Sequence, residues 1–428
     1  MQKPMNENEM SYKERRKIPY GIPNFYDIRK ENMYYVDKTA YIAKVERSHN
    51  YFFFIRPRRF GKTILLQTLQ NYYDIQRAAE FDMLFGDLYI GQHPTPNRNK
   101  FLVISLDFSI IDGSLGNYKG SLDAHCLIRF ESFARKYAAM LPEDFMQELH
   151  KRNGAVEQLD FICNRCAEFG LSLYLFIDEY DHFTNDILSS PNKLREYGDE
   201  THGEGYLRKF FNAIKAGATS SLKRIFITGV SPVTMDDLTS GFNIGTNYTA
   251  DEDFNGMVGF DEKEVRRMFD YYLSTDDFPD TTDDLIQLMK PWYDSYCFAK
   301  QCLGQPTMYN SDMTLYFLSN YVSHKRQPDD MLDENIRTDY NKLRQLMRQD
   351  PGDEDRTKIQ QIVEQGEIQA DVVSLFPARN IVKPENFVSL MYYFGMLTYG
   401  RLDDIGQPVL VIPNQCVREQ TFGYMMDL

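Results

Sequence analysis

YFFFIRPRRFGKT, residues 51–63, decides the fold. The apolar, aromatic run Tyr51 to Ile55 passes through a basic loop into Gly61-Lys62-Thr63, and ILLQTLQNYYD continues at helical spacing. Strand, loop and helix in that order are the setting of a phosphate-binding loop. There, amides at a helix start meet phosphate oxygens, a lysine reaches the β and γ oxygens, and a threonine hydroxyl faces Mg²⁺. One position departs from G-x-x-x-x-G-K-[ST]: Arg56 stands where the first glycine belongs. Glycine suits that position because it permits positive φ and a close backbone approach to the ligand. The loop is therefore either a variant nucleotide site or one that has lost its ligand.

Two later runs bear on that choice. LSLYLFIDEYD (171–181) is continuously apolar up to Asp178-Glu179, as in a strand buried on both faces of a parallel sheet. Asp often ends a strand in a turn. Beside a GKT loop, however, Asp178 is expected to hold Mg²⁺ and Glu179 to polarise the attacking water. RIFITGVS (224–231) ends a third run in Thr228-Gly229, where a hydroxyl can sense a γ-phosphate. Three such strands separated by helical patterns predict an α/β fold, a P-loop NTPase with a mainly parallel sheet. The expected ligands are ATP and Mg²⁺. Lys62, Glu179 and Thr228 are the catalytic candidates. Arg56, Pro57, Arg58, Arg59, Phe60, Gly61, Lys62 and Thr63 are expected to cradle the nucleotide, and Thr63 with Asp178 the metal.

At 428 residues the chain exceeds one typical core, and two or three domains are expected. Charged residues at 26% and hydrophobic ones at 43% are ordinary globular usage, which argues against disorder. No apolar run approaches the ~20 residues of a membrane helix. The polar start MQKPMNENEMSYKERRK lacks the apolar core of a signal peptide, so no membrane partner and a cytoplasmic location are expected. Residues 1–62 carry 14 Lys/Arg against 7 Asp/Glu, a net of +7; the chain total is −14, so the remainder carries −21. The basic loop suits a small polyanion, whereas the acidic body argues against broad nonspecific duplex binding. The six cysteines, including Cys163-x-x-Cys166 and Cys297-x₄-Cys302, read as free thiols, because a four-thiolate zinc site would have to join pairs far apart in sequence.

Along the chain, a polar tail (1–17) precedes an α/β region expected to span 18–255. In it a helix is expected at 63–77, a strand within FLVISLDFS (101–109), two or three helices over 117–169, a polar connector at 184–202 and a helix from Tyr206 to Ala218. Beyond 256 helical patterns dominate, at 262–274, 283–294, 311–324, 342–349 and 385–397. A closing strand pair, MLTYGRLDD (396–404) and PVLVIPN (408–414), gives the mostly helical C-terminal region a winged-helix-like end.

With FYDIRKENMYYVDKT (25–39), IRPRRFGKT (55–63), LFIDEYD (175–181), ITGVSPVTMDDLTSGFNIG (227–245), VGFDEKEV (258–265), WYDSYCF (292–298), MYN (308–310) and LVIPNQCVR (410–418) in view, the chain resembles the bacterial AAA-ATPase-like family. Members of that family commonly carry a C-terminal PD-(D/E)XK nuclease-like domain. The resemblance runs from about residue 18 through nearly the whole chain. In the family the loop commonly reads RPRRFGKT, which makes Arg56 a shared trait. Asn310-Ser311 stands where the family usually has Asn-Pro. The nuclease-like domain would follow the IPN segment, about a dozen residues before Leu428, and no nuclease activity is expected of these residues. The resemblance implies ATP binding and hydrolysis by a switch or motor of the broad AAA/STAND type, acting on an attached effector or a nucleic-acid partner, with self-association open. The alternative is a noncatalytic nucleotide-binding or scaffold module.

Overall fold

The computed structural model describes residues 15–111, 118–182, 205–232, 245–333, 353–376, 380 and 384–425. The expected connector at 184–202 and the expected helix at 342–349 lie outside them. At the centre is a parallel sheet of β1 (Tyr51–Ile55), β2 (Leu102–Asp107), β3 (Leu173–Asp178), β4 (Leu222–Gly229) and β5 (Thr246–Asn247), in the order β2-β3-β4-β1-β5. Every residue of β3 is buried, which is why this strand reads as an unbroken apolar run and not as an alternation. In-register pairing sets Phe54 beside Thr228 and Asp107 beside Asp178. The carboxyl ends of β1, β3 and β4 thus reach one edge of the sheet, where parallel α/β folds place their ligands.

Ahead of the sheet come α1 (Phe25–Lys30) and α2 (Ala40–Arg47); α3 (Lys62–Tyr73) follows β1. α3 ends four residues before the expected 77, because Asp74 turns the chain: its carboxylate caps a 3₁₀ turn over Ile75–Glu80 and accepts from Lys136 and Tyr137. The short helices α4 (Phe81–Phe85) and α5 (Tyr89–Gln92) lead to β2. Residues 117–169 hold three helices, α6 (Tyr118–Lys136), α7 (Phe145–His150) and α8 (Gly154–Glu168), and α9 (Tyr206–Gly217) packs on α8.

The helices α10 (Glu262–Leu273), α11 (Thr282–Tyr293) and α12 (Ser311–His324) form an apolar core of their own around Met268, Phe269, Met289, Phe317 and Tyr321. Capping boxes open α10 at Asp261/Glu264 and α11 at Thr281/Asp284, each satisfying two otherwise orphaned amides. The closing segment contains α13 (Asp353–Gln365), β6 (Glu367–Gln369), α14 (Pro384–Tyr393), β7 (Thr398–Leu402), β8 (Pro408–Val411) and α15 (Gln415–Met425). Its three strands form an antiparallel sheet ordered β6-β8-β7. The expected strand pair is β7–β8; β6 adds an edge too short and polar to stand out. This segment shares its apolar core with the parallel sheet, through Val388, Met391, Tyr392 and Leu410.

Candidate functional site

The phosphate-loop segment turns sharply between β1 and α3. Gly61, at the N-cap of α3, has φ of +92°, a left-handed conformation that glycine adopts without a Cβ penalty. Arg59, not a glycine, takes φ of +67°. Its strained backbone is held from outside: Arg59 O accepts from Asp312 N at 3.2 Å and Ser311 Oγ at 3.1 Å, and Phe60 O from Gly259 N at 2.9 Å. Tying these carbonyls to the helical region removes negative partial charge from the loop's inner side, as an anion site requires.

Lys62 is buried at 6% exposure, and its ammonium donates to Pro57 O at 3.1 Å. Thr63 Oγ1 donates to Asp178 Oδ2 at 3.0 Å, which joins the loop to the end of β3. Asp178 Oδ1 in turn accepts from Glu179 N at 2.9 Å. Glu179 sits at φ of +49° and, with His182, faces the same cavity as Arg58, Arg59, Lys62 and Thr63. That cavity measures about 680 Å³. It is also lined by the apolar side chains of Ile22, Pro23, Tyr35, Val36, Val258 and Met268. A largely apolar lining with a few cationic groups is typical of small-molecule sites.

Thr228 is 1% exposed, at the end of β4, and its hydroxyl has no hydrogen-bond partner among the described residues. Burial, with Glu179's charge second, pushes the Asp178 carboxyl up to about 6 against the pull of Lys62 and the Thr63 hydroxyl. A carboxyl that keeps its proton up to pH 6 must lose it to ligate a cation. Were Asp178 to ligate Mg²⁺, nucleotide binding in its presence should weaken as pH falls through 6, by up to roughly tenfold per unit. Asp178→Asn should flatten the part of the profile that exceeds the nucleotide's own titration. Affinities measured from pH 5 to 8 in Mg²⁺ and in chelator test this, and identical profiles for both proteins would exclude the role. For stability the sign is opposite: a folded value above the unfolded 3.8 favours the folded state below 3.8, and that gain is lost as pH rises through 6.

The expected nucleotide cradle divides in two. Arg58, Arg59, Phe60, Gly61, Lys62 and Thr63 line the cavity; Arg56 and Pro57 do not. The Arg56 guanidinium is turned inward. It donates to the carbonyls of Ile55 (3.0 Å), Thr249 and Phe254 (3.0 Å) and lies over the rings of Phe54 (4.2 Å) and Phe298 (4.4 Å). Burial lowers its pKa to about 10. The reading of Arg56 as a phosphate contact is corrected: its two NH₂ groups are committed to three backbone carbonyls, its plane lies against two aromatic faces, and it does not line the cavity. Pro57 packs instead on Gly395, where an added Cβ would lie 2.8 Å from Pro57 Cβ. Arg59 reaches Asp312 Oδ2 at 2.8 Å. Sequence reading overlooked Asp312 and the apolar residues that line the cavity; Asp181, the third carboxylate of DEYD, is fully buried. All six cysteines are free and buried. No three His, Cys, Asp or Glu side chains converge as a metal cage among the described residues.

A parallel sheet ordered β2-β3-β4-β1-β5, with a glycine-lysine-threonine loop after β1 and a carboxylate pair at the end of β3, one strand removed, defines a P-loop α/β protein. The chain belongs to the family described as Predicted AAA-ATPase, whose model matches residues 19–239, just over half its length. It is 26% identical over 294 residues to an uncharacterized protein in the vnfD 5′ region of Azotobacter chroococcum mcd 1. The match takes in 68% of this chain and 51% of that protein, so the chain spans about half the length of its curated relative. Similar solved structures include Cdc6p from Pyrobaculum aerophilum (12% identity, TM-score 0.34) and the Aeropyrum pernix ORC2 protein in ADPNP–ADP complexes (9% identity, TM-score 0.37). Each alignment covers 91% of this chain and 92% of the other. No helix among the described residues is long and apolar enough to cross a membrane.

Proposed function

We propose that this chain binds ATP with Mg²⁺ in the loop cavity and hydrolyses it, as a nucleotide-dependent switch for an effector. The observation that carries the reading is the 3.0 Å bond to Asp178 Oδ2 from Thr63 Oγ1, a residue that lines the cavity with Lys62 and Glu179. A hydroxyl and one carboxylate suit Mg²⁺, which keeps several waters and takes its remaining oxygens from phosphates. Thr63 and Asp178 would hold it, and when bound it neutralises charge on the β and γ oxygens. Lys62 binds the phosphates, the apolar side chains of the cavity receive the base, and Glu179 orients and deprotonates the attacking water. Thr228, buried with its hydroxyl unsatisfied, is suited to report the γ-phosphate.

The effector remains a protein or a nucleic acid. The buried state of residues 386–393 in α14 and the −21 charge beyond residue 62 favour a protein over a DNA groove for the C-terminal sheet. Glu179→Gln separates this reading from nucleotide binding without turnover. The variant should keep ATP affinity within about threefold and lose at least a hundredfold in kcat, the scale of removing a general base. Phosphate release by the isolated chain, with and without DNA, provides the measurement. Parental turnover by the Gln variant would leave Glu179 a structural role.

A further inference from the structure

The turn that carries Glu179 is bonded to the strand end that carries Thr228. Tyr180 N donates to Thr228 O at 3.2 Å, on one side of Gly229. On the other side, the Asp181 carboxylate accepts from Ser231 N at 2.6 Å and from Val230 N at 3.2 Å, and the Tyr180 hydroxyl donates to Ser231 O. Both side chains are fully buried. Gly229 leaves room for them: a Cβ there would collide with Asp181 Oδ1 and lie 2.7 Å from the Tyr180 ring. The polar atoms of both side chains are bonded to the backbone of Val230 and Ser231 and are not held open for a ligand. We infer that Tyr180 and Asp181 are positioning residues, a latch that fixes the water-activating Glu179 relative to the γ-phosphate-sensing Thr228.

A carboxylate is the group this place calls for. Two backbone N–H donors converge on it, and a carboxylate offers only acceptors. Asparagine keeps the size but sets an NH₂ donor against one of those amides. A buried carboxylate is costly, and simple chain reversal after a strand needs only an exposed Asp or Gly. The geometry of the two site strands is what the buried group maintains, since sub-ångström misplacement of a catalytic group costs rate more than binding.

The inference rests on the nucleotide reading above, and the experiment keeps the two apart. Wild type, Asp181→Asn and the milder Tyr180→Phe, which removes only the hydroxyl on Ser231 O, are compared in nucleotide affinity, kcat, KM and thermal midpoint. Asp181→Asn should keep the affinity for a fluorescent ATP analogue within about threefold, because the loop supplies it, while kcat falls at least tenfold at little-changed KM. Tyr180→Phe should lose about threefold in kcat. If wild type binds but turns nothing over, the ratio of ADP to ATP dissociation constants is read instead, and Asp181→Asn should bring it to the value of Thr228→Val. Equal proportional losses in kcat and affinity, or kcat and the ratio both unchanged, overturn the latch, as does a wild-type ratio of one. Should Asp181→Asn fail to fold, Tyr180→Phe decides by the same criteria. Wild type that binds no nucleotide removes the nucleotide reading, and the latch with it.

Discussion

Lys62→Ala lowers affinity for Mg²⁺-ATP by tens- to a hundredfold and leaves the fold in place. The Lys62 ammonium is buried, donates to Pro57 O in this structure, and opens onto the cavity. Transferred to a phosphate oxygen, it makes a charge-assisted hydrogen bond worth roughly 2–3 kcal/mol. The structural loss is one ammonium–carbonyl bond, roughly 1.5–3 kcal/mol of folding stability. Arg59 also lines the cavity, but it already shares its charge with Asp312 at 2.8 Å, so it does not replace the lysine. Titration with a fluorescent ATP analogue, alongside a urea melt, gives both quantities. Unchanged affinity in a folded variant would remove the phosphate-loop reading.

What could be read from sequence is what local pattern controls. β1, β3 and β4 are buried runs of Phe, Ile, Leu and Tyr flanked by helical periodicity, and each appears where its composition places it. The capped helices of the C-terminal region were equally visible, since apolar spacing and N-terminal acids coincide at Asp261 and Thr281. Elements that exist only by pairing were not. β5 is two residues, Thr246–Asn247, held by the edge of β1, and β6 is Glu-Ile-Gln, fixed only by its register with β8. α13 (Asp353–Gln365) is not among the helices expected from sequence.

The site divides along the same line. Gly61, Lys62 and Thr63 carry their chemistry in a local pattern, and Asp178-Glu179 ends a strand whose neighbour in the sheet follows from topology. Arg59's partner Asp312 and Pro57's neighbour Gly395 lie hundreds of residues away in the chain, and only the packed fold brings them to the loop. Asp181 was visible as a third carboxylate in DEYD, yet sequence cannot tell an acid aimed at a ligand from one capped by Val230 and Ser231 amides.

Arg56 is the sharpest case, and replacing it has a large expected cost. Adjacency to GKT suggests a cation for phosphate, but three carbonyl oxygens and the rings of Phe54 and Phe298 enclose the guanidinium at 1% exposure. Arg56→Ala strips the carbonyls of Ile55, Thr249 and Phe254 of a charged donor and empties the space between two aromatic rings. Buried acceptors left unpaired, together with the cavity, put the loss at about 3–5 kcal/mol. Arg56→Gly restores the common loop consensus and does no better, because it incurs the same loss plus about 0.5–1 kcal/mol of backbone entropy. Arg56→Lys lies between, since an ammonium keeps the charge without a planar fork that stacks on rings and reaches several carbonyls at once. Urea unfolding should rank the proteins wild type, Lys, Ala, Gly, and none of the three should bind ATP more tightly than wild type. An Arg56→Gly protein as stable as wild type and tighter for ATP would return Arg56 to the ligand, and Gly would then be the better residue at the head of this loop.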